Sequence, residues 1–496
     1  MVNSADSEHG HTHTENRFAV MPTALRLAAD PLRAARGVTI AFLDSGFYPH
    51  PDLTQPVGRI VAYKDIANPR ANLESNKMPE EADWHGTMTS VAAAGDGYLS
   101  DGVYRGLASE ARLVLVKVSE NGKITEANIE RGLRWVIENK ERFNIRIVSI
   151  SLGGDQDVSY TTNAVDQAAE DAVRAGIIVV VAAGNNGCNE DHRTVPPANS
   201  PSVITVGGYH DHNQLDGALD LYCSSYGPTA DGVIKPEIIA PAMWVAAPIL
   251  PDTEAYDTAE ALSQLASAPD YLLEQIARPS SNSKKRDIER WKRAGLNESM
   301  RGLPIGIIRA EVERLLHENK IVATHYQHVD GTSFATPIVA SVVAQMLEAN
   351  PRLGPAAVKH ILISTSDRIQ GAPAMRQGFG VLNASRAVEE AARERHEGEA
   401  IFFCPPRVNG SKLEFTYHND RAESVALSGD FNGWLSTATQ FERNGDGVWH
   451  AQIDVLPPGR YRYKLILNGE KWIEDPANAM KEPDEYGGFN SILHIS

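Results

Sequence analysis

Short apolar runs alternate with helical patterns through the first half of the chain. "GVTIAFLDSG", residues 37–46, is an apolar run closed by Asp-Ser-Gly and predicts a buried strand ending at Asp44. Runs of the same kind start at Ala111 ("ARLVLVKV"), Arg146 ("RIVSISL"), Gly176 ("GIIVVVAAG") and Ser202 ("SVITVGG"). Between them, Ile129, Leu133 and Val136 share one helical face with Ile137 beside it, and Val165, Ala168, Ala169, Ala172 and Val173 share another. Strands alternating with helices predict an α/β domain: a parallel sheet covered on both faces, in three layers. Functional residues in such sheets gather beyond the carboxyl ends of the strands, which is where Asp44, Ser151 and Asn185 fall.

The pattern breaks near Pro251. Residues 251–319 are charged and helical, with amphipathic stripes in "AEALSQLASAPDYLLEQIAR" and "IIRAEVERLLHEN", and are expected to be an insertion. The basic run "KKRDIERWKR" within it reads first as a solvated helix face and second as a binding patch. The α/β domain resumes to about residue 395, and residues 396–408 read as a linker. From 409 to 496, short alternating runs and tight turns, including Asn468-Gly469, predict an all-β sandwich of immunoglobulin-like size. Residues 1–34 form an N-terminal extension.

Composition narrows the function classes. The 496 residues carry a net charge of −17, which argues against nucleic acid or an anionic membrane as partner. No apolar run is long enough to span a bilayer, and "MVNSADSEHGHTHTENRF" lacks the apolar core of a signal peptide. Cys188, Cys223 and Cys404 are too few and too scattered to suggest a disulfide framework or a zinc knuckle. These features make a soluble cytoplasmic protein the expectation. His9, His11 and His13 sit in a polar tail that reads as disordered rather than metal-binding.

Three stretches carry candidate chemistry: "FLDSG" around Asp44, "HGTMTSVAAAG" from His85, and "DGTSFATP" around Ser333. Taken singly, an Asp at a strand end is a turn residue, a lone His is structural, and Gly-Thr-Ser before an apolar run is a helix cap. Taken together, they supply an orienter, a base and a nucleophile. A serine hydroxyl stays protonated at neutral pH and needs an adjacent base. His85 suits that role, and Asp44 would hold its tautomer and stabilise the imidazolium.

With these three motifs in the order Asp, His, Ser, the sequence resembles the subtilisin-like serine peptidases. "AAGNNG", "SISLGG" and "KPEIIAPA" agree with further family segments, and the resemblance spans roughly residues 35–395 outside the insertion. It implies a serine endopeptidase acting on polypeptides, with no cofactor required for chemistry. It also implies an oxyanion site formed by the Asn185 side chain and the Ser333 N–H, the latter at a helix N-terminus. Pro337 has no N–H, so the helical bond to the Ser333 carbonyl should be missing. Ile338, Val339, Val342, Val343, Met346 and Leu347 are expected to form one buried face of that helix.

Substrate is expected to bind as an extended strand, with Ser151, Leu152 and Gly153 on one wall and Ala182, Ala183 and Gly184 on the other. These small uncharged walls predict an apolar or aromatic residue before the cut. The resemblance also raises a structural Ca²⁺ at Asp52, with Asp96 and Asp101 in a nearby loop; a solvated acidic loop is the equal alternative. Only about 35 residues precede the first strand, too few for a folded prodomain of the kind common in secreted members. An enzyme restrained by another device, such as an N-terminal segment across the cleft or the insertion as a lid, is the expectation.

"LSGDFNGW", "GRYRYKLILNGEKWIEDPAN" and "GGFNSILHI" resemble the glycogen-binding type of carbohydrate-binding module, as in the β subunit of AMP-activated kinase. The resemblance places Trp434, Lys464, Trp472 and Asn490 at sugar-contacting positions and implies an α-glucan partner. Indole faces stack on glucose rings, and Lys and Asn bond to hydroxyls. A purely structural β-module is the alternative there. For the whole chain, the alternatives are a catalytically silent binding protein on the same fold and a carbohydrate-active enzyme; no motif points to the opposed carboxylates the latter needs.

Overall fold

The computed structural model describes residues 20–73, 78–215, 217–279, 284–394, 406–419, 421–437, 439–444, 447–478 and 480–495. The expectations for His9, His11, His13, Cys404 and most of the 396–408 linker lie outside the described residues.

The predicted strands form a central sheet in the spatial order Ile238–Pro241, Ile204–His210, Ile178–Ala182, Ile145–Ile150, Thr39–Asp44, Arg112–Lys117, Ile60–Asp65. Every pairing along this path is parallel. One face is covered by the helices Glu126–Phe143 and Ala164–Arg174, whose Ile129, Leu133, Val136, Val165, Ala168, Ala169 and Ala172 are buried. Thr125 caps the first of these on the Asn128 N–H, and Asn163 caps the second on Val165 and Asp166.

The other face is covered by the helix Thr332–Ala349, which corrects one expectation. It is buried not along one stripe but on all sides, from Phe334 to Leu347. The helices Asp83–Ala94 and Ala384–Arg393 pack against it from outside, so it sits inside the core. Within it, the Gln345 amide N–H donates to the carbonyls of Arg33 and Leu107.

The insertion folds as the helices Glu254–Ser267, Asp270–Ile276, Lys285–Arg293 and Ile305–Glu318 around their own core of Leu262, Leu265, Leu273, Trp291, Ile308 and Val312. Asp287 and Trp291 of the basic run are buried, and Lys285 and Arg286 stay exposed. The insertion stands on a small antiparallel sheet of Val245–Pro248, Tyr326–Val329 and Ile321–Ala323, which periodicity did not reveal. Its last strand runs directly into Asp330 and the helix of Ser333.

A second correction concerns cysteine. Cys188 and Cys223 are joined by a disulfide across 35 positions. The bridge forms because the Gly187 N–H bonds the Cys223 carbonyl and lays the two segments side by side. Sequence spacing alone carries no such information.

The C-terminal unit begins with the strand Arg407–Asn409 and contains two antiparallel sheets. Leu413, Phe415, Leu427, Trp449, Tyr463 and Leu465 form its core. The predicted turn is present: Asn468 and Gly469 have φ of 53° and 73°, the left-handed pair a tight hairpin needs. Among the described residues no helix is long and apolar enough to cross a membrane.

Candidate active site

Asp44 ends its strand with the carboxylate buried. Its Oδ1 accepts the Ser45 N–H at 2.7 Å and lies 2.7 Å from His85 Nδ1, and its Oδ2 accepts the Thr89 hydroxyl at 3.0 Å. His85 is in the first turn of the helix Asp83–Ala94. That helix approaches so closely that a Cβ on Gly86 would lie 2.8 Å from the Asp44 Cβ, which explains a glycine directly after the histidine. Burial disfavours the charged imidazole, but the Asp44 carboxylate more than offsets it and raises the His85 pKa above its ordinary value. The Nδ1 contact leaves Nε2 to face away from Asp44. Phe334 lies beside the ring at 5.8 Å between centroids, which brings the imidazole to the start of the Ser333 helix.

Ser333 is the second residue of that helix, after Gly331 in a conformation of φ 140° that favours glycine. Thr332 does not cap the helix as expected. Its hydroxyl donates to Asn185 Oδ1 at 3.1 Å and accepts the Gly184 N–H at 3.2 Å. Asn185 Oδ1 also accepts the Thr332 N–H at 3.0 Å, so it is Asn185 that satisfies this free helix donor. With the oxygen committed twice, the amide orientation is determined and Nδ2 remains the available donor. Asn185 is exposed. The Ser333 hydroxyl donates to the Ser151 carbonyl at 3.3 Å, and the Ser151 hydroxyl donates back to the Ser333 carbonyl at 2.7 Å. Thr332, Thr89 and Ser151 are thus supporting residues. Thr332 lies in the same motif as Ser333, but the pairing of Thr89 with Asp44 had no sequence signal.

The expected walls lie on either side. Ser151–Gly153 follow the strand Ile145–Ile150, and Ala182–Gly184 end the strand Ile178–Ala182 beside Asn185. Val195 packs so closely that a Cβ on Gly153 would lie 2.9 Å from its Cγ2, with the Pro196 carbonyl at 3.2 Å. Gly153 is exposed and Ala183 buried.

The donor set at Asp52 does not fit a calcium ion, which counts against the metal reading of the two that stood equal. The carboxylate is fully buried; Oδ2 accepts the Tyr326 hydroxyl at 2.6 Å and Oδ1 the Leu99 N–H at 3.1 Å. The Asp52 carbonyl accepts from Arg59 Nη2 at 2.6 Å. Asp96 Oδ1 is taken by the Tyr98 N–H at 3.0 Å, and Asp101 is exposed. Among the described residues, no group of three or more His, Cys, Asp or Glu side chains is arranged to hold a metal ion. Protein donors fill the places that a cation would take.

In the C-terminal unit, Trp434 and Trp472 lie with ring centroids 6.4 Å apart and planes inclined by 32°. Trp434 is half-buried and Trp472 is 41% exposed. Lys464 pairs with Asp484, and Asn490 is buried opposite Glu482. Tyr486, 93% exposed in the turn before Asn490, is an aromatic residue that sequence reading overlooked.

Residues 35–380 match the model of the subtilase family, and residues 404–478 match carbohydrate-binding module 48 (isoamylase N-terminal domain). The chain is 33% identical over 363 residues to the serine protease AprX of Bacillus subtilis, covering 71% of this chain and 66% of that protein. It is 33% identical over 191 residues to a cuticle-degrading serine protease of Arthrobotrys oligospora, covering 38% of this chain and 41% of that protein. It is 34% identical over 198 residues to the major intracellular serine protease of Bacillus subtilis, covering 38% and 57%. The chain thus spans between 41% and 66% of the length of these relatives. The family match covers the whole stretch that carries Asp44, His85, Asn185 and Ser333, and the chain belongs to the subtilase family.

Proposed function

We propose that the protein is a serine endopeptidase that cleaves polypeptides through Asp44, His85 and Ser333, with Asn185 as oxyanion donor. The observation that carries this reading is the buried Asp44 carboxylate held 2.7 Å from His85 Nδ1, with Nε2 left for a serine. The Ser333 hydroxyl turns from the Ser151 carbonyl to Nε2 and attacks the peptide carbonyl, and His85 takes its proton. Negative charge develops on the carbonyl oxygen, where the Ser333 N–H and Asn185 Nδ2 donate. His85 then protonates the departing amine. Water, deprotonated by the same imidazole, hydrolyses the acyl-enzyme and frees Ser333. The small walls and Val195 support an apolar or aromatic residue before the cut.

The module at the C-terminus is proposed to bind α-glucan on Trp434 and Trp472. The neighbouring, partly exposed rings support this, and the exposed Tyr486 is proposed as a third aromatic contact.

A fluorophosphonate probe tests the chemistry. It should label the protein, and Ser333→Ala should abolish labelling; a folded wild-type protein that resists the probe would refute the peptidase reading and favour a silent binding protein. For the glucan, full-length protein should be retarded in a native gel containing glycogen, and Trp434→Ala with Trp472→Ala should restore its mobility.

A further inference from the structure

We propose that Arg26, in the N-terminal extension, is a positioning residue for the Ser333 turn, so that this extension is a working part of the site. The inference rests on the peptidase reading above. The Arg26 side chain is 0% exposed, although its residue sits in a short surface helix, Thr23–Arg26. Its guanidinium forks onto Asp211, with Nε to Oδ2 at 2.6 Å and Nη2 to Oδ1 at 2.9 Å. The remaining donors grip the backbone elsewhere: Nη1 bonds the Trp244 carbonyl at 3.0 Å and Nη2 the Met243 carbonyl at 2.8 Å. Such planar, multidentate gripping is what guanidinium does and an ammonium cannot reproduce.

The gripped backbone is unusual. Trp244 has φ 58°, a conformation that a bulky residue keeps only when its surroundings impose it. On either side of Met243, this turn holds the segment that precedes the nucleophile. The Trp244 N–H donates to Asp330 Oδ1 at 3.1 Å, and the Ala242 carbonyl accepts the Gly331 N–H at 2.7 Å. The Trp244 ring stacks on His328 of the same incoming strand, 4.3 Å between centroids. Next come Gly331 at φ 140°, Thr332 holding Asn185, and the Ser333 N–H. Arg26 therefore stands two hydrogen bonds from the backbone that aims both oxyanion donors. The extension is anchored independently: the Met21 N–H bonds Asn213 Oδ1 at 2.8 Å, and Val20 is buried against Val322 and Tyr326.

The hydrogen bonds of Arg26 go to Asp211, Met243 and Trp244 and not to the proposed substrate walls at 151–153 and 182–184, so loss of the grip should lower kcat and spare KM. The test compares wild type, Arg26→Lys and Arg26→Ala on an N-acyl tetrapeptide p-nitroanilide ending in Phe, with active sites counted by fluorophosphonate titration. An inactive wild type would count against the peptidase reading alone; the effect of Arg26 is read relative to active wild type. Expected is a fall in kcat per titrated site of about tenfold or more in both variants, with KM within about twofold. Guanidinium at tens of millimolar should restore kcat to Arg26→Ala, and ammonium should not. Arg26→Lys carries the test if Arg26→Ala fails to fold. Unchanged kcat per site in Arg26→Lys, or a matched rise in KM, would overturn the proposal.

Discussion

The Ser151 hydroxyl donates to the backbone carbonyl of Ser333 at 2.7 Å. That carbonyl is free because its helical partner, four residues on, is Pro337, which has no N–H. Ser151, assigned to the proposed substrate wall, thus completes the helix that carries Ser333, and Ser333 returns a bond to the Ser151 carbonyl. Ser151→Ala leaves the part-buried Ser333 carbonyl without this partner. It should cost about 1–3 kcal/mol in a urea titration and lower kcat roughly tenfold by loosening the first helical turn.

Thr332 fixes which end of the Asn185 amide faces the cleft. Thr332→Val keeps the shape but removes the hydroxyl bonds to Asn185 and Gly184. It should reduce kcat about tenfold with KM nearly unchanged, whereas Thr332→Ser should stay near wild type. Asn185→Ala should lose about 10²–10³-fold in kcat, the range known from subtilisin itself. Steady-state kinetics on the three variants separates the donor from its support.

The pH profile should report the His85–Asp44 contact. Asp44 raises the His85 pKa against the opposing effect of burial, and the imidazole must be neutral to accept the Ser333 proton. The acid limb of kcat/KM should therefore lie above the ordinary histidine value of about 6.5. In Asp44→Asn only burial remains, so the limb should move to lower pH while kcat falls by about 10⁴.

Asp166 makes stability depend on pH in the opposite sense to a salt-bridged carboxylate. Burial, only partly offset by the nearby Lys235 ammonium, raises its pKa from 3.8 to about 8. Between these values the folded state holds a proton that the unfolded state has lost. Stability should therefore be full below the unfolded value, fall as pH rises, and level off above the folded value. The slope should be at most about 1.4 kcal/mol per pH unit. Asp166→Asn should flatten this slope in thermal melts across that range.

Chelator should leave the melting temperature unchanged, because protein donors already occupy the Asp52 carboxylate. Tyr326→Phe removes the hydroxyl bonded to Oδ2 and should destabilise by about 1–3 kcal/mol, by leaving a buried oxygen short of its partner. A fall in melting temperature with chelator in the wild type would contradict the assignment.

Local pattern was enough for the sheet strands around Asp44, Ser151 and Asn185, for the inward faces at Ile129, Leu133 and Val136, and for the Asn468-Gly469 turn. Each depends on burial or backbone preference within a few residues, which periodicity records directly. Asp44, His85, Asn185 and Ser333 stood out through contiguous motifs that resemble the subtilisin-like family, and the proposed chemistry rests on them. The missing Pro337 bond was also legible, since it follows from one residue's covalent structure.

Tertiary structure alone decided what those residues touch. Arg26 reaches Asp211 across 185 positions, Tyr326 reaches Asp52 across 274, and Cys188 meets Cys223 across 35. It placed Thr332 on Asn185 instead of on its own helix, buried the Ser333 helix on every side, and closed the Asp52 carboxylate to metal. The physical reason is that a side chain's type is written in the chain, but which of several competing partners its donors and acceptors meet depends on how distant segments pack.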